Sequence, residues 1–328
     1  MSTGHKTILV LGCSRSGTSL LSGLLRACGA GGEFNHGVNN TASGYVEHES
    51  EEVLRVNERA LAKHKRRWLQ EKKDNCYAPL RDAEQRWDAK LVAQAQAVVR
   101  RRRAWLPKGT PLLLKDPRFA WTLGLWTAAL APEVPWLLVT RRSPLRNAES
   151  LHRHEGWEAP LRRWEGTVRL ALNATLREVA KRCGRCAATP REGCARAHLV
   201  SYEELLRRPE LVRELAPTLG LRCPPPAALR RVVGPQAAAA DAESAIAMGA
   251  AGDAPSCCPD DRLTRPQLRL AHALATLPRS PFEAWDDVAA PNDHCSPGQR
   301  RQGDNALVVR ACHQTVVADE IFVTTHAH

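Results

Sequence analysis

Arg15, Ser16, Thr18 and Ser19 fall within a span of five residues, around Gly17. One guanidinium and three hydroxyls so close together suit an oxyanion, phosphate or sulfate. Spacing narrows the chemistry. Gly12 and Gly17 enclose four residues, as in the glycine loop that cradles nucleotide phosphates. That loop continues with a Lys for the terminal phosphates and a hydroxyl for Mg²⁺. Here Thr18 and Ser19 follow Gly17 directly, so the Lys is absent and the cation sits inside the loop, at Arg15. These residues describe an anion held by backbone N–H groups, hydroxyls and one Arg, with no metal. A glycine loop can also do no more than turn a strand into a helix. The crowding of Arg15 and the hydroxyls at one helix start favours the anion.

Three further groups carry chemistry. Lys115, Asp116 and Arg118 stand together in Lys115-Asp116-Pro117-Arg118. Arg141 and Arg142 precede Ser143-Pro144, with Ser150 eight residues beyond Arg142. Glu47 and Glu49 lie in Gly44-Tyr45-Val46-Glu47-His48-Glu49. A carboxylate there can act as a general base. The same acids can simply begin a helix, where the dipole favours them, and Glu49 fits that plainer reading better.

Elements must hold these residues in place. Ile8 to Leu11 is apolar, with β-branched Ile8 and Val10, and reads as a buried strand. Leu20, Leu21, Leu24 and Leu25 then recur at helical spacing, and Gly29 supplies a stop. Pro111 to Lys115 and Trp136 to Thr140 are the second and third apolar strands, and His198 to Val200 a short fourth. Helices are expected from about Glu49, over Ala83 to Leu106, over Phe119 to Leu130, from Pro144, over Trp157 to Lys181 and from Ser201. Ser201 with Glu204 is a capping signature. Ligands gather at the carboxyl ends of strands in an open parallel sheet, and Lys115 and Arg142 fall at such ends. Asp116 and Arg118 fall there too, or form a local ion pair that ties the strand end. The run Arg100 to Arg103 reads as a solvated helix face, and Arg146 and Asn147 as surface residues.

Ser14-Arg15-Ser16-Gly17-Thr18-Ser19 resembles the 5′-phosphosulfate loop of sulfotransferases that use 3′-phosphoadenosine 5′-phosphosulfate (PAPS). The form is that of the bacterial-type and carbohydrate enzymes; the cytosolic branch usually has Lys where Arg15 stands. The resemblance implies that Arg15, Ser16, Gly17, Thr18 and Ser19 meet the 5′ end of the cofactor. Lys115 resembles a strand-end Lys that contacts the sulfuryl group. The His found two residues later in cytosolic enzymes is Pro117 here, which moves the base role to a carboxylate, Glu47 first and Asp116 second. Arg142 and Ser150 match the pair that binds the 3′-phosphate. Tyr202, in Tyr202-Glu203-Glu204-Leu205, resembles a Tyr near the adenine. Two cofactor contacts of the cytosolic branch depart from the pattern: its adenine-stacking Trp is Leu20, and its Arg-Lys-Gly clamp is not evident. The match runs over about residues 7–221.

Composition sets the outer bounds. The chain has 328 residues, 43% of them hydrophobic, and a net charge of +12, which suits an anionic partner. Basic residues are not interleaved with aromatics, so nucleic acid is not expected. No apolar run reaches the about 18 residues of a membrane span, and the N-terminus lacks the pattern of a signal peptide. A cytoplasmic protein is therefore expected. Cys183, Cys186 and Cys194, among 11 cysteines, lack a partner pair at zinc-finger spacing and read as free thiols or a local disulfide. From Cys223 the texture turns to Pro-rich and Ala-rich stretches, so residues 1–222 are expected as an α/β domain and 223–328 as linker and extension.

The resemblance implies a P-loop NTPase-like three-layer α/β/α sandwich with a mainly parallel sheet. It implies in-line transfer of a sulfuryl group from PAPS to an acceptor hydroxyl, on a carbohydrate or another small molecule, without a metal. Two other readings stay open: a P-loop kinase-like phosphotransferase, and a non-catalytic binding protein on a sulfotransferase-like fold.

Overall fold

A computed structural model describes residues 6–32, 39–40, 45–46, 49–62, 87–151 and 196–234, and helical positions 164, 166–168, 170–172, 174–175 and 178. Glu47, the three cysteines Cys183, Cys186 and Cys194, and residues 235–328 lie outside the described residues.

The strands of the main sheet are β1 (Thr7–Gly12), β4 (Leu112–Lys115), β5 (Trp136–Arg141) and β6 (Ala197–Ser201). All pair in parallel, in the order β4-β1-β5-β6. A separate two-residue antiparallel ladder joins β2 (Asn39–Asn40) to β3 (Tyr45–Val46). Strand side chains alternate between two cores. Leu9, Leu11, Leu112, Leu114, Leu137 and Val139 face one. Ile8, Val10, Leu113 and Leu138 face the other. Both faces of a parallel sheet must be covered, and unbroken apolar runs are the signature of that burial. The architecture is therefore the expected three-layer α/β/α sandwich.

The first core is roofed by α2 (Glu51–Ala62), α3 (Ala89–Ala104), α4 (Phe119–Leu130) and the helical positions between 164 and 178, labelled α6. The second is roofed by α1 (Thr18–Ala27), α7 (Tyr202–Arg207), α8 (Val212–Leu219) and α9 over 226–234. A further helix, α5 (Pro144–Leu151), follows β5.

Local signals explain several boundaries. At the end of α1, Gly29 adopts φ 92°, its N–H bonds the Arg26 carbonyl, and the Ala30 N–H bonds that of Leu25. This is the Schellman stop, which needs a residue at ease in the left-handed region. The helix expected from Ala83 is described from Ala89, because the Asp88 carboxylate accepts from the Lys90 N–H at 2.9 Å and caps it there. Ser201 caps α7 as expected, accepting from the Glu204 N–H.

Two expectations need correction. Arg102 does not belong to a solvated face. Its guanidinium turns inward, is 5% exposed, donates to Ser50 Oγ at 2.7 Å and pairs with Glu52. Asn147 is not a surface residue either; it is fully buried, while Arg146 is exposed as expected. Leu229 and Val233 of α9 pack into the second core.

Cys28, at the end of α1, forms a disulfide with Cys223, 195 residues away. Such bonds persist in oxidising compartments and are rare in the cytosol. Closing so long a loop restricts the unfolded chain, an effect of about 2–4 kcal/mol for a typical native disulfide. Cys223→Ser should therefore lower the denaturation midpoint in oxidising buffer, and reductant should lower the wild type to match. A midpoint that moves with neither change would remove this role.

Candidate functional site

The order of the sheet decides where a ligand can sit. β1 has β4 on one side and β5 on the other, so the chain leaves β1 in one direction and later crosses to the opposite side. Such a switch point opens a crevice beyond the carboxyl ends of the strands. Three segments meet there: the loop after β1, Lys115 to Arg118 after β4, and Arg142 with Ser143 after β5. Register keeps them close, with Val10 beside Lys115 and Gly12 beside Thr140.

The loop after β1 is wound tightly. The Ser16 N–H bonds the Cys13 carbonyl at 3.1 Å. Arg15 adopts φ 66°, a left-handed conformation that costs a side-chain-bearing residue about 1–2 kcal/mol. Backbone strain of this kind collects at functional sites. Two glycines are required by close approach. A Cβ on Gly12 would lie 2.3 Å from Thr140 Oγ1, and one on Gly17 2.4 Å from a Tyr202 ring carbon. Gly17 also has φ 95° and starts α1, whose first N–H groups and dipole face the loop.

Side chains tie this loop to β5 and α5. Ser16 Oγ and Thr140 Oγ1 share a buried hydrogen bond of 2.7 Å. Asn147 donates from Nδ2 to the Ser14 carbonyl at 2.9 Å, and its Oδ1 accepts from Cys13 Sγ. Arg15 Nε donates to Ser150 Oγ at 2.8 Å, and Arg142 Nη1 donates to the Arg15 carbonyl at 3.2 Å. Arg15, Arg142 and Ser150 are therefore brought together. Ser16, Thr18 and Ser19 are buried at the start of α1, with the Ser16 hydroxyl engaged on Thr140. The turn after β5 is pinned by Glu203, whose carboxylate accepts from the Ser143 N–H at 2.6 Å and from Ser201 Oγ. Burial pulls Arg141 below its ordinary value, against Glu203 and Glu204, which push it up.

The end of β4 carries an ionic cluster. Lys115 is 3% exposed, and its Nζ donates to Glu49 Oε1 at 2.7 Å. Arg118 lies 3.7 Å from the other Glu49 oxygen and 3.2 Å from Asp116 Oδ1. The Arg118 N–H also donates to Asp116 Oδ1 at 2.7 Å. Asp116 is fully buried. Burial pushes its carboxyl above the ordinary 3.8 and Glu49 adds to the rise, whereas Arg118 and the Asn57 amide pull it down. Asn57 Oδ1 accepts from Thr122 Oγ1 at 2.8 Å and from Trp126 Nε1 at 2.7 Å. Those two donors fix which end of the amide faces the carboxylate.

Three contributors gave no clear signal in the chain. Asn147 and Asn57 stand among other polar residues in amphipathic helices, and only packing shows that both are buried anchors. Glu203 sits in a segment that helix capping already accounts for. Among the described residues, no group of three or more His, Cys, Asp or Glu is placed to hold a metal ion.

The profile of the Sulfotransferase family matches residues 7–225. Among solved structures, the chain is similar to the sulfotransferase domain from the Synechococcus PCC 7002 olefin synthase. That similarity has 18% identity over 84% of this chain and 98% of the other, with a TM-score of 0.42. No curated protein matches significantly.

The Asp116 shift has a consequence for stability. A carboxyl raised by folding binds more protons folded than unfolded between its two values, so stability falls as pH climbs from about 3.8 through the folded value. Asp116→Asn should remove that slope. Denaturation of both proteins at several pH values checks it: the variant should gain on the wild type as pH rises. A constant difference between them would contradict the shift.

Proposed function

We propose that this chain, which belongs to the sulfotransferase family, transfers a sulfuryl group from PAPS to an acceptor hydroxyl. The observation that carries the reading is the convergence of Arg15, Lys115, Arg142 and Ser150 at the ends of β1, β4 and β5, beside a tight loop at a helix N-terminus. The donor set suits the molecule. PAPS is polyanionic, and the residues offer the guanidinium groups of Arg15 and Arg142 and the Lys115 ammonium beside N–H groups and hydroxyls.

Each residue then has a role. Arg15, the loop N–H groups, Gly17 and the hydroxyls of Thr18 and Ser19 hold the 5′ end, and Ser16 braces the loop against Thr140. Arg142 and Ser150 hold the 3′-phosphate. Lys115 reaches the sulfuryl oxygens, exchanging its bond to Glu49 for them as charge grows. PAPS supplies the sulfuryl group and a stable phosphate leaving group. The acceptor oxygen forms the new bond to sulfur as the bond to the phosphate oxygen breaks, in line, and the acceptor proton passes to a carboxylate. Arg15 and Lys115 neutralise charge developing on the leaving oxygen, so catalysis is electrostatic and positional. The scheme calls for no metal.

For the base we keep Glu47 as the first candidate and add Glu49, whose carboxylate lies on Lys115. Asp116 fits the role less well. It is fully buried and engaged with Arg118, so we assign it to orienting that guanidinium. The acceptor is a hydroxyl compound, a carbohydrate or another small molecule. We propose residues 1–234 as the folded unit.

Calorimetric titration with 3′-phosphoadenosine 5′-phosphate tests the site directly. Wild type should bind it in the micromolar range, and Arg142→Ala should weaken binding about 100-fold, as expected for a lost charge-assisted contact to a dianion. No binding by wild type would end the sulfotransferase reading, and ATP would be tried next. Arg15→Ala should lower turnover by about 10²–10³, measured with labelled donor against a panel of hydroxyl compounds. Turnover close to wild type would remove Arg15 from its role.

A further inference from the structure

Tyr202 opens α7 immediately after β6 and is 5% exposed. Family resemblance implies a place near the adenine, where the ring would offer its face to the base. The ring also has close neighbours within the protein. Gly17 lies so close that a Cβ there would come within 2.4 Å of ring carbon Cδ2. The guanidinium carbon of Arg142 lies 4.5 Å from the ring centroid. A cation over a phenol face is attracted by the ring quadrupole, most strongly where water is excluded, and Arg142 is only 8% exposed.

Two hydrogen bonds also fix Arg142. Its carbonyl accepts from Trp164 Nε1 at 3.1 Å, which holds the backbone. Its Nη1 donates to the Arg15 carbonyl at 3.2 Å, which holds one edge of the fork. The Tyr202 face sets the plane of the guanidinium. A planar fork recognises a phosphate only when its remaining N–H groups point at the oxygens, so the plane decides the strength of the contact. The missing side chain at Gly17 is what lets the ring reach this place. One glycine thus serves both the loop and the arginine.

We propose that Tyr202 is a positioning residue that aims Arg142 at the 3′-phosphate, and thereby sets the preference for a 3′-phosphorylated nucleotide over one without that group. This rests on the reading that Arg142 and Ser150 hold that phosphate. It differs from the adenine-platform role in which ligand should feel the loss.

Calorimetry with two nucleotides separates the roles. 3′-Phosphoadenosine 5′-phosphate and adenosine 5′-phosphate differ only in the 3′-phosphate. Tyr202→Leu should weaken the first about tenfold and leave the second within about twofold, whereas Tyr202→Phe should keep wild-type values for both. General damage to the fold would weaken both ligands alike. Should Tyr202→Leu fail to fold, trifluorophenylalanine at position 202 keeps the shape and drains the ring face. It should give the same selective loss. Equal weakening of both nucleotides, or no change in either, would overturn the proposal. A wild type that binds adenosine 5′-phosphate as tightly as the 3′-phosphorylated form would remove the 3′-phosphate site itself, and with it the role of Tyr202.

Discussion

β1 runs between β4 and β5, hydrogen-bonded in parallel to both, and this pairing sets the site. Parallel strands place their carboxyl ends at one edge, and the change of direction at β1 keeps the two following connections from filling the crevice. The loop at Gly12, the Lys at the end of β4 and the Arg after β5 become neighbours for that reason. None of the three segments reaches another along the chain; more than 90 residues separate the first from the second. The site is as precise as the register of four strands buried on both faces.

The sheet brings cations together, and the surrounding residues bear the cost. Burying a charge is expensive unless it is paired and hydrogen-bonded. Lys115 is matched by Glu49, Asp116 by Arg118, and the turn beside Arg142 is braced by Glu203. These partners hold the charges in place. The local acids temper the charge at the site without cancelling the +12 of the whole chain. That excess adds a general attraction for anionic ligands.

The loop is held from several sides because it is strained. Arg15 occupies a conformation that it would not choose alone, and Ser16, Asn147 and Arg142 each fasten the backbone around it. Thr140 and Tyr202 come so near that only glycine fits at positions 12 and 17. A glycine loop free to move would hold an anion poorly, since the N–H groups would first have to be ordered. Here that entropy is lost during folding instead.

Much of this was legible in the chain before any coordinates. Four apolar runs, the loop spacing, the stop at Gly29 and the cap at Ser201 are local signals, because each depends on backbone geometry within a few residues. Strand ends carrying Lys115 and Arg142 followed from those runs. What the sequence could not decide depends on contacts between distant segments. Arg102 looks like its exposed neighbours in a basic run, yet one face of α3 turns it onto Ser50. Asn147 and Asn57 look like ordinary polar helix residues, and only packing makes them anchors. Whether Glu49 opens a helix or meets Lys115 is decided by the sheet that brings β4 to it. The contact of the Tyr202 ring with the Arg142 guanidinium is likewise set by the fold. Local chemistry named the residues that can bind an anion; the fold alone set what each one touches, because side-chain contacts across a parallel sheet have no counterpart in sequence spacing.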